Sequence, residues 1–281
     1  GMTALVDRLN TVDPGLVNTP GVWGWAGLIS FTLIVSLGTW GMPQLLVRFY
    51  SIKNDKMLRL GTVIVTIGAS VALLPYLTGS IARALVPDLA SADQAIPALT
   101  KLVLNDWGGA LFLAGVVAAG MSTFAGVLII ISSSMVNDVW INGLGRTLTP
   151  AAELKANRVM SIAVGVISLL IALTPPALVL VLTALSWAVS ASTNLWPLLF
   201  GLYWKRTSPK AALWSMVCGV TAALLWQAWP RIGWLPELPV SLAGVHGFVV
   251  GTTVGLIVIV IGTFLGKSAP TACVDKAWGS G

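Results

Sequence analysis

Charge is scarce in this chain. Only 10 of its 281 residues are Asp or Glu and 16 are Lys or Arg, while 56% are hydrophobic and the mean hydropathy is +0.89. That balance excludes a soluble domain of ordinary composition. Cysteine is nearly absent. Cys218 and Cys273 are far apart, so neither a disulfide framework nor zinc-ligand spacing exists, and both read as small apolar residues before any redox role. There is one histidine, His246, and no HExxH motif, phosphate loop or nucleophile–base pair, so an enzyme finds no support. The opening GMTALVDRLNTVDPG is polar and has no signal-peptide pattern.

What fills the chain is apolar runs. Several reach the length of about 20 residues that crosses a bilayer, and they lack the short alternation of a membrane β-barrel. Seven spans are expected, at 24–50, 58–84, 109–136, 158–174, 177–203, 209–229 and 242–266. Alternate threading puts Arg48, Lys53, Lys56, Arg59, Arg146, Lys155, Arg158, Lys205, Arg206, Lys210, Lys267 and Lys276 on one side, 12 of the 16 basic residues. Arg8, Arg83, Lys101 and Arg231 fall on the other. The first side is therefore read as cytoplasmic, in a cell (inner) membrane, with the N-terminus outside and the C-terminus inside. This asymmetry accounts for the net charge of +6 without nucleic acid. Trp23, Trp107, Trp204, Trp229 and Trp234 sit near span ends, as interfacial belts do.

The connections divide the chain into an extracytoplasmic segment 1–23, five spans over 24–203, two more over 204–266 and a cytoplasmic tail 267–281. An outside N-terminus without a leader, and Gly1 ahead of Met2, lead us to expect a preceding membrane portion. The longest connection, 85–108, places Ser91 and Gln94 at capping-box spacing before an apolar pattern. A short lid-like helix or an ordinary connector both fit.

The stretch SLGTWGMPQ, residues 36–44, interrupts the first span. Met42 precedes a proline and is pushed out of helical geometry. Pro43 suits the first turn of a new half-helix. A break at membrane depth must be buried in protein or line a cavity, and marks the binding site of many transporters; a plain proline kink is the rival. The positive end of the second half-helix favours an anion such as a carboxylate, and the free carbonyls near Gly38 favour a cation.

Two stripes of small and hydroxyl-bearing residues follow. At about 100° per residue, Gly115, Ala119, Ser122, Thr123, Gly126, Ser133 and Asn137 lie near one line of the third span. Thr183, Ser186, Ser190, Thr193, Pro197 and Gly201, with Asn194 beside them, do so in the fifth, after the turn Pro175-Pro176. Close helix packing and a cation or solute cavity both fit. Gly247, Gly251 and Gly255 form a doubled GxxxG, read as packing. No Asp, Glu or Lys lies mid-span, which favours sodium over protons as a coupling ion. His246, near the end of the last span, reads as packed or interfacial rather than as a proton relay.

GTWGMPQLLVRFYSIK resembles the broken helix of the sodium:solute symporter family. AAGMSTFAGVLIIISSSMVNDV resembles its sodium-site helix, and LYWKRTSPKAALWSMVCG its late cytoplasmic connection with the helix that follows. The resemblance implies an all-α membrane protein whose first five helices are the second inverted repeat of a leucine-transporter-type fold, with two extra C-terminal helices. It implies Na+ bound by Ala119, Ser122 and Thr123, with further carbonyls from a first repeat supplied by the same gene or a partner chain. The expected function is sodium-coupled symport of a small, carboxylate-bearing organic solute. Thr39, Trp40, Gly41, Gln44, Ser186 and Asn194 are the candidate solute contacts. Relatives often carry Gly-Gln-Pro-His where this chain has Gly41-Met42-Pro43-Gln44, so solute preference does not carry over. The alternatives are a transporter-like membrane sensor and an inactive fragment.

Overall fold

The computed structural model describes residues 1–175, 177–231, 239, 242, 244–269 and 274. The expectations for Pro176, Trp234, Cys273, Lys276 and most of the tail lie outside the described residues. The described residues contain no strand, and seven helical segments are long and apolar enough to cross a membrane. They gather into two units, residues 1–12 with 52–178, and residues 13–51 with 179–281.

In the first unit, α1 (Met2–Val12) rests on α5 (Leu74–Leu85), where Leu9 and Ala82 are buried. The span expected at 58–84 is two helices, α4 (Asp55–Ala72) and α5. Pro75 lies in the first turn of α5 and has no N–H to return to Val71, so the helix restarts at this point. The connection 85–108 holds a 3₁₀ turn, Ala92–Gln94, and α6 (Ala95–Val103). Ser91 does cap, accepting from Asp93 N at 3.3 Å. Helix α6 packs on α5 and on α7 (Asp106–Ser133) and buries Thr100.

Helix α7 starts earlier than expected because the Asn105 side chain caps it, accepting from Gly108 N at 2.8 Å. It runs on as a π-helix over Ser134–Gly143. Helix α8 (Pro150–Leu173) begins well before the expected 158, capped by Thr149. Its first two turns are polar, so hydropathy alone does not reveal them. Helices α7 and α8 join through Ser161 Oγ, which donates to Ser132 Oγ at 2.9 Å.

The second unit contains α2 (Gly24–Leu37), a 3₁₀ turn Gly38–Gly41, α3 (Pro43–Phe49), α9 (Val179–Tyr203), α10 (Pro209–Ala228) and α11 (Gly247–Leu265). Ile34, Ala188, Ala191 and Phe248 form its apolar core. The doubled GxxxG is a packing device. A Cβ on Gly247 would fall 2.5 Å from Ala223 O, and one on Gly251 would fall 2.6 Å from Ala223 Cβ. With backbones this close, polar groups bond across the interface. Trp196 Nε1 donates to Thr252 O at 2.6 Å and Ser215 Oγ to Gly255 O at 2.8 Å. Helix α11 starts at Gly247 rather than 242, with His246 as its cap.

Candidate functional site

The interruption in the first span is a true break. Helix α2 gives way to the 3₁₀ turn at Gly38, and Met42 is extended (φ −89°, ψ 113°) before α3 restarts at Pro43. The cause is local, since the ring of Pro43 disfavours helical geometry at Met42. The Met42 carbonyl nevertheless accepts from Leu45 N and Leu46 N at 3.0 and 3.1 Å and so nucleates α3. Helix α3 has only seven residues, so the dipole expected to attract an anion is short.

Helix α9 holds the break in place. A Cβ on Gly41 would come within 2.6 Å of Ala191 Cα, so glycine is required for this approach. Asn194 Nδ2 donates to Gly41 O at 3.2 Å and to Ser190 O at 3.1 Å. Asn194 therefore gives its donors to backbone. Around this contact, Gly41 is buried and Thr39 and Gln44 are half-buried. Thr39 Oγ1 donates to Ser36 O at 3.3 Å. Trp40 is 53% exposed. Ser186 is also exposed and lies eight positions before Asn194, about 12 Å along the helix. The structure thus brings Gly41 and Asn194 together, with Ser186 two turns away.

In the first unit, Ala119, Ser122 and Thr123 meet as helical spacing requires. Ser122 Oγ donates to Ala119 O at 2.8 Å, and Thr123 Oγ1 approaches the same oxygen at 3.5 Å. Three neutral oxygens are clustered, an arrangement suited to a hard cation. All three residues are exposed. Cβ atoms added at Gly115 and Gly126 would meet nothing within 4 Å, so this part of the stripe packs against no other described helix. The far end behaves differently. Ser132 is buried against α8, and Asn137 Nδ2 donates to Ser133 Oγ at 3.3 Å.

His246 is half-buried and hydrogen-bonded, as the packed reading expects. Its Nδ1 accepts from Phe248 N at 3.2 Å and its backbone N–H donates to Ser30 Oγ at 3.2 Å, which ties the start of α11 to α2. Burial holds its imidazole below the usual pKa. No sequence rule singles out the His246–Ser30 bond or the Asn194–Gly41 bond, because each joins residues distant in the chain.

Seven helical segments long and apolar enough to cross a membrane, with a break at Gly38–Met42 in the first of them, are features shared with membrane transporters. The sequence comparisons agree: the sodium:solute symporter family profile matches residues 1–219, and the chain belongs to that family. It is 32% identical over 279 residues to the sodium/pantothenate symporter of Escherichia coli, covering 98% of this chain and 56% of that protein. It is 33% identical over 230 residues to a monocarboxylic acid transporter of Corynebacterium glutamicum, covering 78% of this chain and 41% of that protein. It is 30% identical over 247 residues to a sodium/proline symporter of Staphylococcus aureus, covering 82% and 48%. The chain spans about half the length of the curated relatives it matches. No solved structure matches it.

Proposed function

We propose that this chain is the C-terminal portion of a sodium-coupled symporter for a small carboxylate-bearing solute. The observation that carries the reading is the break at Gly38–Met42, fastened to α9 by Asn194. Irregular backbone at membrane depth is tolerated where it lines a protein-walled cavity. In this reading Thr39 and Gln44 receive the solute, Trp40 and Ser186 border it, and Asn194 keeps the Gly41 backbone in position. Na+ sits at Ala119 O, Ser122 Oγ and Thr123 Oγ1, where the hydroxyl lone pairs replace part of its hydration shell. Further oxygens come from a first repeat, contributed by the same gene or a partner chain, which also covers the open stripe of α7.

The five spans over 24–203 form the second inverted repeat and the spans of 204–266 are additions. The N-terminus of this chain lies outside and its C-terminus lies in the cytoplasm. Sodium binds first and favours the outward-open state. Solute then joins it, and rocking of one helix bundle against the other carries both inward. The names of the similar proteins support the solute class, since pantothenate, proline and monocarboxylic acids all carry a carboxylate.

The test is uptake by the full-length protein in vesicles, with labelled pantothenate, proline and short monocarboxylates. Uptake of one of these should require an inward sodium gradient and stop when potassium replaces sodium. Uptake of none of them, or uptake equal in potassium, would contradict the reading.

A further inference from the structure

A groove of about 800 Å³ opens between the start of α10 and the end of α11. Its polar end is made by Ser208, Lys210 and Lys267, and Trp214, Ile261 and Leu265 run along the rest. Both lysines are exposed. No Asp or Glu occurs from Val179 to Pro236 or from Leu238 to Val274, so α9, α10 and α11 offer the lysines no carboxylate. Two ammonium groups with no ion-pair partner among the described residues, at the end of a pair of membrane helices, make a local positive field.

Ser208 adds a second feature. It is only 2% exposed and lines the groove, yet its hydroxyl makes no capping bond to α10. Helix α10 has 20 residues, and its first turn leaves backbone N–H groups without helical acceptors. Those N–H groups and the positive end of the dipole favour an anion at the same point as the lysines. The apolar wall faces outward, with Trp214 59% and Leu265 84% exposed. In a spanning helix pair that surface meets acyl chains, and a tryptophan near a helix end suits the headgroup boundary.

We propose that this groove binds one anionic phospholipid. Its phosphate is held by Lys210, Lys267, the Ser208 hydroxyl and the open N–H groups of α10. One acyl chain lies along Trp214, Ile261 and Leu265. The length of the apolar wall selects a lipid over a free phosphate. Among the described lining residues no carboxylate is placed to pair with the ammonium of a zwitterionic headgroup. This site is independent of the transport reading and stands or falls separately from it.

Native mass spectrometry of the purified full-length protein tests the site. It would be titrated with phosphatidylglycerol or phosphatidylcholine at equal concentration. Phosphatidylglycerol should bind in clear preference. K210Q/K267Q should weaken its binding about twentyfold or more, at roughly fivefold per lysine. K210R/K267R should keep the preference, and K53Q/K56Q, which removes the same charge elsewhere, should leave it unchanged. W214A should weaken both lipids alike. Equal binding of the two lipids by the wild type would overturn the site. An equal loss in K53Q/K56Q would also overturn it, since the attraction would then be diffuse charge.

Discussion

Asn194 Nδ2 lies 3.2 Å from the carbonyl oxygen of Gly41, a residue 153 positions earlier in the chain. The bond supplies a partner to a carbonyl at the point where helical pairing stops. Leaving a buried carbonyl without a donor costs about 1–3 kcal/mol. Asn194→Ala should therefore lower the melting temperature in detergent. Asn194→Asp should do at least as much harm, because it removes the donor while keeping the shape. An Asn194→Asp protein that melts like the wild type would show that the donor is not what matters.

Gly41 supports the same contact from the other side. Gly41→Ala would press a methyl carbon onto the α9 backbone at Ala191, a neighbour that cannot turn away. Overpacking of this kind costs about 1–3 kcal/mol. Gly61, in α4, has open space around its would-be Cβ. Gly61→Ala should be neutral or stabilising, by up to about 1 kcal/mol through lost backbone entropy. Thermal melts of the two variants should move in opposite directions or differ by several degrees.

Gly251 extends the contrast to the three-helix contact of α9, α10 and α11. A Cβ there would meet Ser192 Oγ, and Gly219 O at 2.6 Å. Gly251→Leu should separate the helices and cost at least as much as Gly41→Ala. Loss of the Ser215–Gly255 and Trp196–Thr252 bonds should accompany it, seen as faster amide exchange across α10 and α11.

His246 gives a pH dependence with a defined sign. Its Nδ1 must be unprotonated to accept from Phe248 N, and burial lowers its folded-state pKa below the ordinary value of about 6.5. The unfolded chain then binds the proton more readily than the folded one. The cap's contribution is complete above about pH 6.5 and is lost as pH falls through the lower folded pKa. The imidazole resonance of His246, identified as the one lost in His246→Asn, can be titrated directly. The midpoint should lie below 6.5. His246→Asn should keep a capping side chain while removing the histidine's part of the acid-induced loss of stability.

The break was legible in the sequence because its cause is local, a proline acting on the residue before it. The Ala119, Ser122 and Thr123 cluster was legible for a similar reason, since spacings of three and four bring side chains to one helix face. The break at Leu73 carries the same kind of signal in Pro75, but the strong apolar run around it reads as one span. The start of α8 was hidden by its charged residues Glu153, Lys155 and Arg158, which hydropathy places outside the membrane. The Gly41 partner of Asn194 and the Ser30 partner of His246 depend on how distant segments pack, and no local pattern encodes that.

In the proposed function, sodium held at Ala119, Ser122 and Thr123 drives solute uptake. The most direct measurement is the sodium concentration dependence of uptake by the full-length protein, compared with Ser122→Ala and Thr123→Ala. Each loses one oxygen ligand but keeps its helix. Half-maximal activation should shift to sodium concentrations about tenfold higher or more in both variants, as losing about 1.4 kcal/mol of binding would give. Solute affinity at saturating sodium should change far less. Unaltered sodium activation in both variants would contradict the claim.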